Sequence, residues 1–186
     1  MSYSSELCLY DDFIQSSMFR KIIQNLGNYS ICISEFKGLF GIPDLLIINY
    51  AEKDGKLHIL QTIAFEMKLS NWKRALIQAY RYKAFAEKSF VVIDKKYLHL
   101  VNNNQKEFDL SEIGLISGES KNDFNVYIPA KYSEPYSKPL TEKFHRKVIN
   151  DFLSTPVFTN SAFDQVFDFP KTLKKYNQAN NLYFQS

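Results

Sequence analysis

Asp44, Glu66 and Lys68 have the side-chain types and spacing that metal-assisted hydrolysis requires. In an extended strand alternate side chains share a face, so Glu66 and Lys68 project together, along with Ala64. Asp44 opens the apolar run just before, and pairing of the two segments would carry its carboxylate toward Glu66. Two carboxylates facing one pocket suit Mg²⁺, which binds through one or two carboxylates, several waters and a substrate phosphate oxygen; Mn²⁺ should substitute. The backbone carbonyl of Met67 is a candidate third oxygen. Such an ion would polarise a phosphoryl oxygen and acidify a bound water, with Lys68 orienting the attacking hydroxide or stabilising charge in the transition state. An acid and an amine near a strand end also make ordinary surface ion pairs of little energetic weight, so the surrounding elements have to decide.

What surrounds them is basic. From Glu66 to Lys96 there are eight basic residues against Glu66, Glu87 and Asp94, a net of +5, whereas the whole chain carries +3 and the remainder therefore −2. A phosphate backbone is a natural partner for such a stretch, although charged helix faces are also commonly just solvated. Arg74 and Arg81, seven residues apart and so nearly on one helix face, are candidate phosphate contacts, and Lys73 is a weaker one. Gln78 and Tyr82 lie one turn apart at the border of the apolar stripe, where they can bond phosphate or brace the pocket.

Taken together, Ile42-Pro43-Asp44, Phe65-Glu66-Met67-Lys68 and Gln78-Ala79-Tyr80-Arg81-Tyr82 resemble the PD-(D/E)XK nucleases, the last being similar to the Q-x-x-x-Y helix signature of the RecB-type branch. The resemblance covers roughly residues 12 to 94. It implies an α/β fold with a restriction-endonuclease-like α-β-β-β-α-β core, a mixed central sheet flanked by helices. It also implies a divalent-metal-dependent nuclease acting on DNA, with Asp44 and Glu66 as metal ligands and Lys68 as the catalytic lysine. Many members carry an additional acid near the metals, and Glu35, nine residues before Asp44, is the candidate here. Two alternatives stay open: a catalytically silent nuclease-fold module that binds nucleic acid or assembles a complex, and an RNA-directed nuclease.

The elements that must position these residues follow from periodicity. Phe13, Phe19, Ile22, Ile23 and Leu26 predict one helix over 12–26, ended by Gly27. Tyr29 to Phe36 predicts a strand, and Asp44 to Ile48 a second one covered on both faces. Asp54-Gly55 predicts a tight hairpin from that strand into Leu57–Lys68. Trp72, Ala75, Leu76, Ala79, Tyr82 and Ala86 predict an amphipathic helix of about five turns over 71–88. Ser89 to Ile93 then predicts a buried strand parallel to a neighbour. Later come a short helix over 95–104, a strand over 113–116, an extended Pro-rich connection over 128–140 and a helix over 141–153. Phe158, Phe163, Phe167 and Phe169 add an aromatic segment expected to cover the core or to form an interface.

The expected organisation is a core over 1–120, a C-terminal extension over 121–180, and a tail, 181–186. That tail reads NLYFQS, most of a protease site appended to recombinant proteins, with Asn180 where the site has Glu. Composition is globular, with 45% apolar and 16% aromatic residues, which excludes a wholly disordered chain. Cys8 and Cys32 have neither CxxC spacing nor a histidine pair nearby and are expected as reduced thiols. His58 shares parity with Glu66 but would stand about 25 Å from it along a straight strand, too far for one metal. P-loop, dinucleotide-binding and nucleophile-elbow motifs are absent. No basic-then-apolar leader and no apolar run of about 20 residues occurs, so the expectation is a cytoplasmic protein with no membrane partner. DNA is the expected partner, with a homodimer or a place in a larger nucleic-acid-processing complex as possible assemblies.

Overall fold

Serine hydroxyls set the start of the fold. The computed structural model describes residues 2–26, 29–37 and 41–153. Ser5 caps helix α1 (Glu6–Ile14) and Ser16 caps helix α2 (Ser17–Gln24), each side chain accepting from the backbone N–H three residues on. The single helix expected over 12–26 is therefore two, and the first begins six residues earlier. Ser16 makes the break: its Oγ donates to the Phe13 carbonyl at 2.6 Å and accepts from the Phe19 N–H at 3.1 Å, closing one helix while opening the next. The cap expected at Gly27 and the turn at Gly38 lie outside the described residues.

Six strands follow among the described residues: β1 (Ser30–Ser34), β2 (Leu45–Lys53), β3 (Lys56–Lys68), β4 (Lys88–Asp94), β5 (Gly114–Gly118) and β6 (Asn125–Ile128). They form one mixed sheet in sequence order, with β1, β2 and β3 antiparallel, β3, β4 and β5 parallel, and β6 antiparallel to β5. The Asp54-Gly55 hairpin is present, with φ of 53° and 69° at its two central residues, the doubly positive geometry for which Asp-Gly is favoured. It fixes the β2–β3 register, running from Lys53 opposite Lys56 to Leu45 opposite Phe65 with one irregularity at Asn49/Tyr50.

Helix α3 (Trp72–Tyr82), capped by the Asn71 side chain, makes the crossover that renders β4 parallel to β3. It has three turns, not the five expected. Beyond Tyr82 the apolar residues Ala84, Phe85 and Ala86 are all buried in succession, a pattern no helix can bury on one face. Glu87 is then held against β3: its N–H donates to the Thr62 carbonyl at 3.1 Å and its carboxylate accepts from the Thr62 N–H at 2.6 Å.

Both faces of the sheet are covered. Phe13, Phe19 and Ile23 pack with Cys32, Ile47, Phe65 and Val92 on one side. On the other, Tyr82 and Phe85 pack with Ile31, Leu46, Ile48 and Ala64, while Trp72, Leu76 and Ala79 meet Val91 and Ile93. A 3-10 turn (Lys95–Tyr97) leads into α4 (Leu98–Asn102) and α5 (Gln105–Ser111), the latter and β6 being elements that periodicity did not predict. Residues 129–137 run without regular structure as expected, and α6 (Lys138–Val148) passes into a π-helical turn (Ile149–Leu153). Residues after 120 share the same body: β6 pairs with β5, and Phe144, Val148 and Phe152 enter the core beside Ile31 and Leu46. The aromatic segment from Phe158 onward lies outside the described residues. No helix among them is long and apolar enough to cross a membrane.

Candidate functional site

The β2–β3 register, continued one step past Leu45 and Phe65, sets Asp44 across from Glu66 on the face that α3 covers. Backbone and side chain both hold Asp44 there: its N–H donates to the Phe65 carbonyl at 3.1 Å, and its Oδ2 accepts from the Met67 N–H at 2.6 Å. Glu66 is 1% exposed. Its two oxygens are divided between neighbours, Oε2 accepting from the Tyr82 hydroxyl at 2.6 Å and Oε1 lying 3.0 Å from Lys68 Nζ. Lys68 also donates to the Met67 carbonyl at 2.8 Å and reaches Glu6 Oε2 at 3.3 Å.

The turn before Asp44 is built around α3. Gly41 has φ +95°, and a Cβ there would lie 2.9 Å from the Tyr82 ring, so only glycine fits. The Tyr82 hydroxyl stands 3.0 Å from the Ile42 carbonyl as well as bonding Glu66, so one phenol joins the Gly41-Ile42-Pro43 turn to the β3 acid.

Burial and crowded negative charge set the protonation behaviour. Burial, and then the charge of Glu66, push the Asp44 carboxyl up to about 7 against the opposing help of the Met67 amide and Lys68. Burial alone would lower the Lys68 ammonium, but the hydrogen bond and charge of Glu66, with Asp44 and Glu6, outweigh it and raise it. Burial and the Glu66 carboxylate raise the Tyr82 phenol, so it remains a donor. Three carboxyl groups thus surround one ammonium.

Among the described residues no group of three or more His, Cys, Asp and Glu side chains is assembled to hold a metal alone. The donors present are the Asp44 and Glu66 carboxylates and the Met67 carbonyl. All are hard oxygens, and the excess of negative charge is what a divalent cation would offset. That set fits Mg²⁺ or Mn²⁺, which take few protein ligands and keep water and phosphate for the rest.

The remaining predicted residues are distributed around this cluster. Gln78 is half-buried one turn before Tyr82 and lies against its hydroxyl, and its Oε1 is buried without a hydrogen-bond partner among the described residues. Lys73, Arg74 and Arg81 are exposed on the outward arc of α3. Glu35 is exposed just past β1, in the left-handed region at φ 46°; its backbone N–H donates to the Asp44 carbonyl at 3.2 Å. The additional acid that touches Lys68 is instead Glu6, from the first turn of α1. Its sequence signal is a Ser-Glu pair at a helix start, six residues before the helix that periodicity predicts. His58 and His99 are exposed, the latter with Nδ1 2.9 Å from the Lys96 carbonyl.

Comparison of the chain with models of protein families, with curated proteins and with solved structures finds no match.

Proposed function

We propose that this chain is a divalent-metal-dependent nuclease of the PD-(D/E)XK type that hydrolyses phosphodiester bonds in DNA. One observation carries the reading: Asp44, at the entry to β2, sits across from Glu66 of β3, with the Lys68 ammonium between Glu66 and the Met67 carbonyl. The run of three antiparallel strands, crossover helix and parallel strand supports it, since the family resemblance implies that run, preceded here by two helices in place of one.

Asp44, Glu66 and the Met67 carbonyl would hold Mg²⁺, which supplies polarisation of the phosphoryl oxygen and acidification of water when bound. Tyr82 fixes the Glu66 carboxylate by its short bond to Oε2, while Oε1 faces the Lys68 ammonium. Lys68 carries a fixed positive charge beside both acids, suited to orienting the attacking water and stabilising negative charge as the P–O bond breaks. Glu6 holds the far side of the same ammonium. The cations of α3 would take the substrate backbone.

The test is cleavage of labelled single-stranded, duplex and branched DNA, and of RNA, with Mg²⁺ or Mn²⁺. Metal-dependent cleavage that is lost in Lys68→Ala, while its melting transition stays cooperative, is the expected result. A wild-type chain inactive on every substrate with either ion defeats the enzyme reading and leaves the silent module; cleavage confined to RNA replaces DNA as substrate.

A further inference from the structure

Two tyrosines lie open to solvent on the far flank of α3 from the carboxylates. Tyr80 is 50% and Tyr136 57% exposed, and their rings stack at 6.0 Å with 27° between planes. Successive helix residues turn by about 100°, so Tyr80 and Tyr82 leave α3 on nearly opposite flanks. Large aromatic rings left half-exposed carry a cost in contact with water, and here the pair is also held rigidly. The Tyr136 hydroxyl donates to the Arg81 carbonyl at 3.3 Å and its N–H to the Lys83 carbonyl at 3.1 Å. Lys83 is in turn buried and paired with Glu112 at 2.9 Å, and the Ser133 N–H donates to the Glu87 carbonyl at 3.2 Å. The irregular segment 129–137 is therefore clamped to the end of α3, and Tyr136 is presented in a fixed place.

The exposed charge on α3 and on residues 129–138 is mostly positive. Lys73 and Arg74 on α3, and Lys131 and Lys138 flanking Tyr136, are all exposed; Glu134 is the one exposed carboxylate within α3 and residues 129–138. The Arg81 guanidinium is close enough for its charge to act on the Tyr136 hydroxyl. A rigid aromatic stack set in positive charge has the chemistry that binds an unpaired base by its face and the adjoining phosphates by their charge. A duplex has no free base face to offer.

We infer that Tyr80 and Tyr136 form a base-stacking platform for single-stranded nucleic acid, whose backbone crosses α3 past Arg74 and Arg81 toward Glu66. This names a substrate class for the nuclease reading and rests on it for the destination of the strand, but its binding can be measured separately.

The experiment is fluorescence anisotropy of a labelled thymidine oligonucleotide and of a duplex of equal length, in EDTA so that nothing is cleaved. Tyr80→Ala and Tyr136→Ala should each weaken the single strand about tenfold, since one base stack contributes roughly that much. The Tyr80→Phe variant, which keeps the ring, should bind like wild type, and duplex binding should not change. The platform is overturned if wild type binds no single strand, if the alanine variants bind it undiminished, if duplex affinity falls by the same factor, or if a poly-glutamate peptide competes as well as the oligonucleotide. Cleavage by wild type together with undiminished binding by the alanine variants removes the platform and leaves the nuclease; tyrosine-dependent binding in a chain that never cleaves leaves the platform and removes the nuclease.

Discussion

The Tyr82 hydroxyl donates to Glu66 Oε2 across 2.6 Å in a place where the carboxylate is buried. Removing the hydroxyl leaves a buried charged oxygen unsatisfied, and hydrogen bonds to charged groups contribute about 1.5–3 kcal/mol. Tyr82→Phe should therefore lower unfolding free energy by about 2 kcal/mol in urea titration. It should also reduce cleavage, because Glu66 loses the partner that fixes its orientation. An unchanged midpoint would mean that the bond contributes nothing.

Asp44 gives the site a pH dependence with a defined sign. Its folded value of about 7 lies above the usual carboxyl range, so between roughly pH 4 and 7 the folded chain holds a proton that the unfolded chain has lost. Stability from this group is complete below the unfolded value and declines as pH rises toward 7, by at most about 1.4 kcal/mol per unit and less where solvent reaches the carboxyl. Glu87, raised by burial, adds to the decline in the same direction. Denaturation across pH 4–8 should show the decline, and Asp44→Asn should flatten part of it. Cation binding near pH 7 should release protons, visible as a buffer-dependent enthalpy.

Gly41→Ala tests the turn before Asp44. A methyl group there meets the Tyr82 ring at 2.9 Å in a backbone conformation that alanine avoids. Thermal melts should show a loss of about 1–3 kcal/mol, and cleavage should fall further than stability, because Asp44 and Tyr82 would both shift. Equal activity to wild type would separate the turn from the site.

The strands and their chemistry were legible because their signals are local. Asp54-Gly55 specifies a hairpin by itself, and a period of two puts Glu66 and Lys68 on one face whatever surrounds them. Pairing Asp44 with Glu66 needed the register, which the hairpin length and the Asn49/Tyr50 irregularity decide together. Helix ends were less legible. Ser16 is an unremarkable helix residue until its hydroxyl is seen to cap α2, and α3 stops because Glu87 bonds Thr62, 25 positions away in the chain. Glu6 was illegible for the same reason: its partner Lys68 is 62 residues distant.

Calorimetric titration of Mn²⁺ into wild type, Asp44→Asn and Glu66→Gln tests most directly whether Asp44, just before β2, and Glu66 of β3 hold a cation. Saturable binding to wild type, abolished or weakened at least tenfold in both folded variants, is the predicted result. No binding to wild type, or binding that ignores both substitutions, would contradict it.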